Sequence, residues 1–125
     1  MPLVDETLKS IIGVRPIFMR PPFGYLNGAS ENYLRNNGYK IVDWGIDTND
    51  WRHPDDISAS LDAYKDALSR PGAHRQGFIA LEHDALGTTA EKLAPAVIRY
   101  AKDLGFEVVP VGTCLGLDSS QWYRQ

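Results

Sequence analysis

The chain is 125 residues long, 43% hydrophobic and 23% charged, the range of one soluble globular domain with enough apolar side chains for a core. A formal charge of −3 with no long Lys/Arg run leaves no electrostatic footprint for nucleic acid or an anionic membrane, and neither is expected as a partner. No apolar stretch approaches the roughly 18 residues a membrane span needs, and the first ten residues carry acids where a signal peptide has a basic region, so the chain as written is expected to stay in the cytoplasm.

In chain order, residues 5–12 read as a short helix ended by Gly13, and residues 16–19 as a strand feeding a Pro-Pro-Phe-Gly turn. Ser30 is placed to cap a helix through Asn36, Gly38 to end it, and residues 39–44 alternate as a strand does. Ile57, Leu61, Tyr64 and Leu68 fall on one face of a helix over 56–69, which Arg70-Pro71-Gly72 stops. Residues 77–82 form a short apolar run suited to a buried strand, and Thr88 with Glu91 makes a capping-box signature for a helix to about Leu104. Gly105 breaks that helix, and residues 106–111 supply a fourth strand before a polar, aromatic-bearing tail. Helices alternating with strands predict an α/β fold with a mostly parallel sheet and right-handed crossovers. Neither G-x-G-x-x-G nor G-x-x-x-x-G-K-[ST] is present, so a nucleotide would have no phosphate loop.

Three polar clusters lie at or just past the C-terminal ends of predicted strands: Arg20 to Gly24, Asp47 to Trp51, and Leu81 to Asp84. Active sites gather there in parallel α/β folds. Leu81 and His83, two apart, point to the same side of their strand. Each cluster taken singly also has a plain structural reading as a turn, a solvated loop or a core histidine. It is their convergence that points to chemistry. Asp47 with Asp50 as a glycosidase-like pair is the weaker reading, because carboxylates three apart on one loop lack the opposed placement that reaction needs. His53 and His74 sit in predicted loops at no recognised ligand spacing and are read as surface residues.

Together the clusters resemble three of the five motifs of carbohydrate esterase family 4, the polysaccharide (chitin) deacetylases that share the NodB-homology domain. Arg-Pro-Pro-aromatic-Gly, here Arg20 to Gly24, resembles the third motif, Asp47 to Trp51 the fourth, and Leu81-x-His83-Asp84 the fifth. The tail is similar to that of fungal chitin deacetylases in Gly112 to Gly116 and Trp122-Tyr123-Arg124. The resemblance covers nearly the whole chain, residues 1–125 as one partial domain, and implies a partial (β/α) barrel. That is about four parallel strands alternating with helices, the C-terminal half of a distorted barrel of seven or eight strands.

In that family a divalent metal, zinc or cobalt, polarises the acetyl carbonyl, an aspartate activates water, and a histidine protonates the departing amine. The resemblance gives His83 the part of general acid, Asp50 a place beside it where a carboxylate favours the imidazolium, and Arg20 the orientation of the base. The backbone N–H of Phe23 would help bind the oxyanion, and Trp51 and Leu81 would wall a pocket for the acetyl methyl. The first two motifs, Thr-Phe-Asp-Asp and His-x-x-x-His, do not occur, so the base and the metal ligands are absent and no metal site is assigned. A truncated deacetylase acting on N-acetylated glycans, inactive alone, is therefore expected. A non-catalytic glycan-binding domain using Phe23, Trp44 and Trp51 is the alternative. Unpaired sheet edges make a homo-oligomer or a complementing chain the expected partner and predict poor solubility as a monomer. Cys114, the only cysteine, is either a small hydrophobe or a residue missing its partner. By resemblance to secreted relatives, that partner would be a cysteine near the N-terminus, and none is present here.

Overall fold

A computed structural model describes residues 2–125, which divide into two compact units. The first comprises residues 2–43 and 115–125, the second residues 44–114. None of the described helices is long and apolar enough to cross a membrane.

In the first unit α1 (Pro2–Ile12) leads through Gly13 into two short strands, β1 (Arg15–Pro16) and β2 (Phe18–Met19). α2 (Gly28–Asn36) follows, then β3 (Lys40–Ile41). Asn27, not Ser30, caps α2: its side chain accepts from the Ser30 N–H at 2.8 Å, so Ser30 lies inside the first turn. β2 pairs with β3 in parallel, as alternation predicts, in register Phe18 with Lys40 and Met19 with Ile41. An antiparallel pair was not anticipated: β1 aligns with β6 (Tyr123–Arg124), Arg15 opposite Arg124. The tail is held there by charge. Asp5 is buried, and its Oδ2 accepts from Arg124 Nη2 at 2.6 Å and from the Tyr39 hydroxyl. The Arg124 guanidinium also lies 4.3 Å over the Tyr39 ring and donates to the Asn37 carbonyl. Gly38, at φ +77, turns the chain out of α2, and a Cβ there would meet Arg124 Nη1 at 3.3 Å.

In the second unit β4 (Ile46–Asp47) pairs in parallel with β5 (Ala80–Leu81), Ile46 with Ala80 and Asp47 with Leu81. α3 (Ser58–Leu68) and α4 (Ala94–Asp103) pack with β4 around a core of Ile46, Tyr64, Ala67, Leu68, Leu93 and Val97. Leu93 is wholly buried. The run 39–44, read as one strand, thus yields only β3, and β4 begins beyond it at Ile46.

Two further expectations are corrected. Residues 106–111 form no strand: Phe106 turns into ring contacts with His74 and Phe78, Pro110 has no N–H for a ladder, and its carbonyl opens α5 (Val111–Cys114). The expected single run of four parallel strands is therefore, among the described residues, two parallel pairs and one antiparallel pair. Thr88 makes no side-chain cap, and the helix there opens instead as a π turn (Thr89–Leu93). Cys114 is half-buried, with Sγ 4.0 Å from the Phe78 carbonyl oxygen.

Burial pushes the Asp5 carboxyl up, but the Tyr39 and Arg124 hydrogen bonds and the Arg124 and Arg15 charges outweigh it and hold the group below its ordinary 3.8. A carboxylate held low stabilises the fold above that ordinary value, and the contribution is lost as pH falls through the folded value. Arg124→Ala should therefore cost about 1–3 kcal/mol at pH 7, by leaving a buried anion short of a donor. In urea unfolding the deficit should shrink as pH drops through 3.8.

Candidate functional site

The second unit gathers Asp50, His83, Trp51 and Leu81. The turn that follows β4 delivers Asp50. Asp47 Oδ1 accepts from the Asn49 N–H at 3.0 Å, and Asn49 takes a left-handed φ of +48, which asparagine tolerates better than most residues. That reversal directs Asp50 inward at the start of a short 3-10 turn, Asp50–Arg52, where it is 3% exposed. The buried Thr48 hydroxyl donates to the Leu81 carbonyl at 2.7 Å, and the buried Ser60 hydroxyl on α3 donates to the Thr48 carbonyl at 2.8 Å. The loop is thereby tied to β5 on one side and to α3 on the other.

Four donors converge on the Asp50 carboxylate. Oδ1 accepts from Trp51 N at 3.0 Å and contacts His83 Nδ1 at 2.7 Å. Oδ2 accepts from His83 N at 2.7 Å and from the Thr89 hydroxyl at 2.8 Å. Burial raises this carboxyl, while the His83 and Thr89 hydrogen bonds lower it further, so it stays ionised below its ordinary 3.8. Facing a carboxylate, Nδ1 must carry a hydrogen, and Nε2 is the ring nitrogen directed away from Asp50. The His83 side chain is 44% exposed. A rigid buried anion behind a solvent-reaching imidazole is an arrangement that can hold a proton and release it from Nε2.

Glu82 contacts Tyr64, whose hydroxyl donates to Oε1 at 2.5 Å. Burial, with a smaller push from the Asp50 charge, leaves the Glu82 carboxyl above its ordinary 4.5 despite the Tyr64 hydrogen bond. Burial and the same pair drive the Tyr64 phenol well above its usual range.

Arg20 and Phe23 lie in the first unit. Arg20 donates to the carbonyls of Val42 at 3.3 Å and Asp43 at 3.4 Å. Phe23 takes φ +58 with its ring 100% exposed, while the Gly24 and Tyr25 amides close the turn onto the Pro21 and Pro22 carbonyls. Trp51 is also exposed, with Arg52 4.8 Å over its ring. Among the described residues no three His, Cys, Asp or Glu side chains group to hold a metal ion. His74 stacks 4.5 Å on Phe106, and His83 Nδ1 faces Asp50. Among the described residues the donor set does not fit a metal.

Sequence reasoning missed Thr89, Thr48, Ser60, Tyr64 and Glu82 as partners of the site. For Thr89 a signal was present: a second threonine beside the expected cap, six residues before Pro95 inside a helical pattern.

No family model matches the chain. It is similar to a chitin deacetylase of Pestalotiopsis sp., 34% identical over 125 residues that cover 99% of this chain and 40% of the relative. A chitin deacetylase of Colletotrichum lindemuthianum is 32% identical over 97% of this chain and 49% of the relative. A solved structure of the chitin deacetylase from that fungal pathogen superposes with a TM-score of 0.92 at 29% identity, covering 99% of this chain and 55% of that one. The chain spans less than half the length of these two curated relatives.

Two outcomes follow from the geometry. Glu82→Gln keeps an acceptor for Tyr64 and removes a carboxylate that burial disfavours. A carboxyl held high contributes stability at low pH that is lost as pH rises, so the variant should melt higher at pH 7 and lose that advantage toward pH 4.5. Phe23→Gly removes left-handed strain at no packing cost, and calorimetry should show it as stable as the unmodified chain or up to about 1 kcal/mol more so.

Proposed function

This chain belongs to the NodB-homology family of polysaccharide deacetylases, and we propose on that premise that it supplies the proton-donating part of a site that hydrolyses the N-acetyl groups of chitin-like glycans. The observation that carries the reading is the buried Asp50 carboxylate held 2.7 Å from His83 Nδ1, with the imidazole reaching solvent. Amide hydrolysis stalls unless the departing amine is protonated, because an unprotonated amine is a poor leaving group. His83 gives its Nε2 proton to that nitrogen and keeps its Nδ1 hydrogen bond to Asp50. The ring ends neutral and oriented for the next proton.

The remaining roles follow the family motifs. Arg20 orients the base, the Phe23 amide donates to the oxyanion, and Trp51 and Leu81 bound the space for the acetyl methyl. The short parallel ladders belong to an incomplete barrel, with residues 1–125 as one partial domain. The catalytic base and the zinc or cobalt ligands come from the two motifs missing here, so the 125 residues alone are inactive. A complementing chain or longer polypeptide carrying those motifs is the required partner for activity, while a second copy could pair sheet edges but would not supply them. The exposed rings of Phe23 and Trp51 favour one other reading, a non-catalytic domain that stacks them on sugar rings.

Acetate release from chitin oligomers, measured with added zinc or cobalt, separates these readings. The chain alone should release none. Supplied with the half-domain carrying Thr-Phe-Asp-Asp and His-x-x-x-His, it should gain activity that His83→Ala abolishes. Release by the chain alone would sink the claim of inactivity, and metal-independent oligomer binding that needs Phe23 and Trp51 but not His83 would favour the binding domain.

A further inference from the structure

Thr89 is wedged under Asp50 by an irregularity in the helix. Ala90 N bonds back four residues to the Leu86 carbonyl at 3.0 Å, whereas Ala94 N reaches back five, to the Thr89 carbonyl. One extra residue is thus accommodated between them. Pro95 accounts for the change of register, since it has no N–H to continue the four-residue ladder to Glu91 and its ring crowds that carbonyl. Single π turns of this kind collect at functional sites. The result is a threonine hydroxyl, in a residue 4% exposed, placed 2.8 Å from Asp50 Oδ2. Thr88 beside it makes no side-chain cap.

We propose that Thr89 is a positioning residue for His83: through Asp50, its hydroxyl fixes which imidazole nitrogen carries the hydrogen. A hydroxyl facing an ionised carboxylate must donate to it. Of the four donors on Asp50, Trp51 N and His83 N are main-chain amides, and Nδ1 belongs to the ring being positioned. Thr89 is the side-chain donor that comes from outside these residues, and it shares Oδ2 with the His83 amide. Together the two oppose rotation of the carboxylate; the hydroxyl so helps keep Oδ1 aimed at Nδ1, which holds the hydrogen on Nδ1 and leaves Nε2 to exchange protons. The inference rests on the reading of His83 as proton donor, because only then does the choice of nitrogen matter to a reaction.

The test needs no catalysis. In the full chain with nitrogen-15 labelled imidazole, the resonances of the neutral ring should report the Nδ1–H tautomer. Thr89→Val should lower the Nδ1–H to Nε2–H ratio about fivefold or more, the order set by one hydrogen bond to an ionised group. Thr89→Ser should restore it. An unchanged ratio in a folded Thr89→Val chain, or an Nε2–H tautomer in the unmodified one, overturns the proposal. If the valine variant does not fold, the Thr89 hydroxyl proton of the unmodified chain decides: a slowly exchanging signal supports the bond to Asp50, and its absence overturns it. Acetate release in the complemented enzyme is read separately, so absence of deacetylation with the tautomer shift intact would sink the proposed function and spare the role of Thr89. Retained deacetylation with no shift would do the reverse.

Discussion

The buried charge of Asp50 organises the second unit. An ionised carboxylate taken out of water is strongly unfavourable unless its oxygens are met by donors, and here they are met from three separate stretches of chain. Trp51 comes from the loop after β4, His83 from the end of β5, and Thr89 from the opening of the α4 helix. None of these stretches can shift without stranding a charge in a poorly solvated place. That mutual dependence is what lets elements whose paired strands are only two residues long hold a histidine in one orientation. Thr48 and Ser60 extend the same logic outward, fastening the loop backbone to β5 and α3.

The first unit uses a second buried acid differently. Asp5 also sits out of solvent and is also held ionised, but its partners are the buried Tyr39 and Arg124, whose guanidinium lies over the Tyr39 ring. The Asp50 pair instead leaves part of its imidazole in water. One carboxylate therefore fastens a tail, while the other backs a side chain able to react. The difference lies in what covers the partner, since hydrogen bonds hold both acids below their usual carboxylate range.

Much of this was legible in the residues. Alternation of helix and strand signals located α1, α2, α3 and the strands β2, β3 and β5 but not β4, and the resemblance of the motifs singled out Asp50 and His83, which lie in contact. What could not be read were features set by competition between neighbours. Ser30 satisfies the local rule for a cap, yet Asn27 captures its amide. Residues 106–111 have strand composition, but Phe106 finds aromatic contacts and Pro110 has no donor, so no ladder forms there. Thr88 fits a capping box by spacing, and Pro95 shifts the helix register so that Thr89 next to it becomes the residue with a partner. Each miss arises where a tertiary contact or a proline outweighs a propensity of a few tenths of a kilocalorie.

The pairing of β1 with β6 carries a consequence for how the molecule comes into being. Arg15 bonds across 110 positions to the Gln125 carbonyl, and Asp5 across 119 to Arg124. Residues 44–114, by contrast, form a unit made of one continuous stretch. Contacts across so long a stretch carry a larger loop-closure cost than those within 44–114, so the core around Leu93 can form while the Asp5 carboxylate and the Tyr39 ring still lack their guanidinium. The first unit is thus the later one to mature, and until its tail docks its unfinished surface is open to a chaperone.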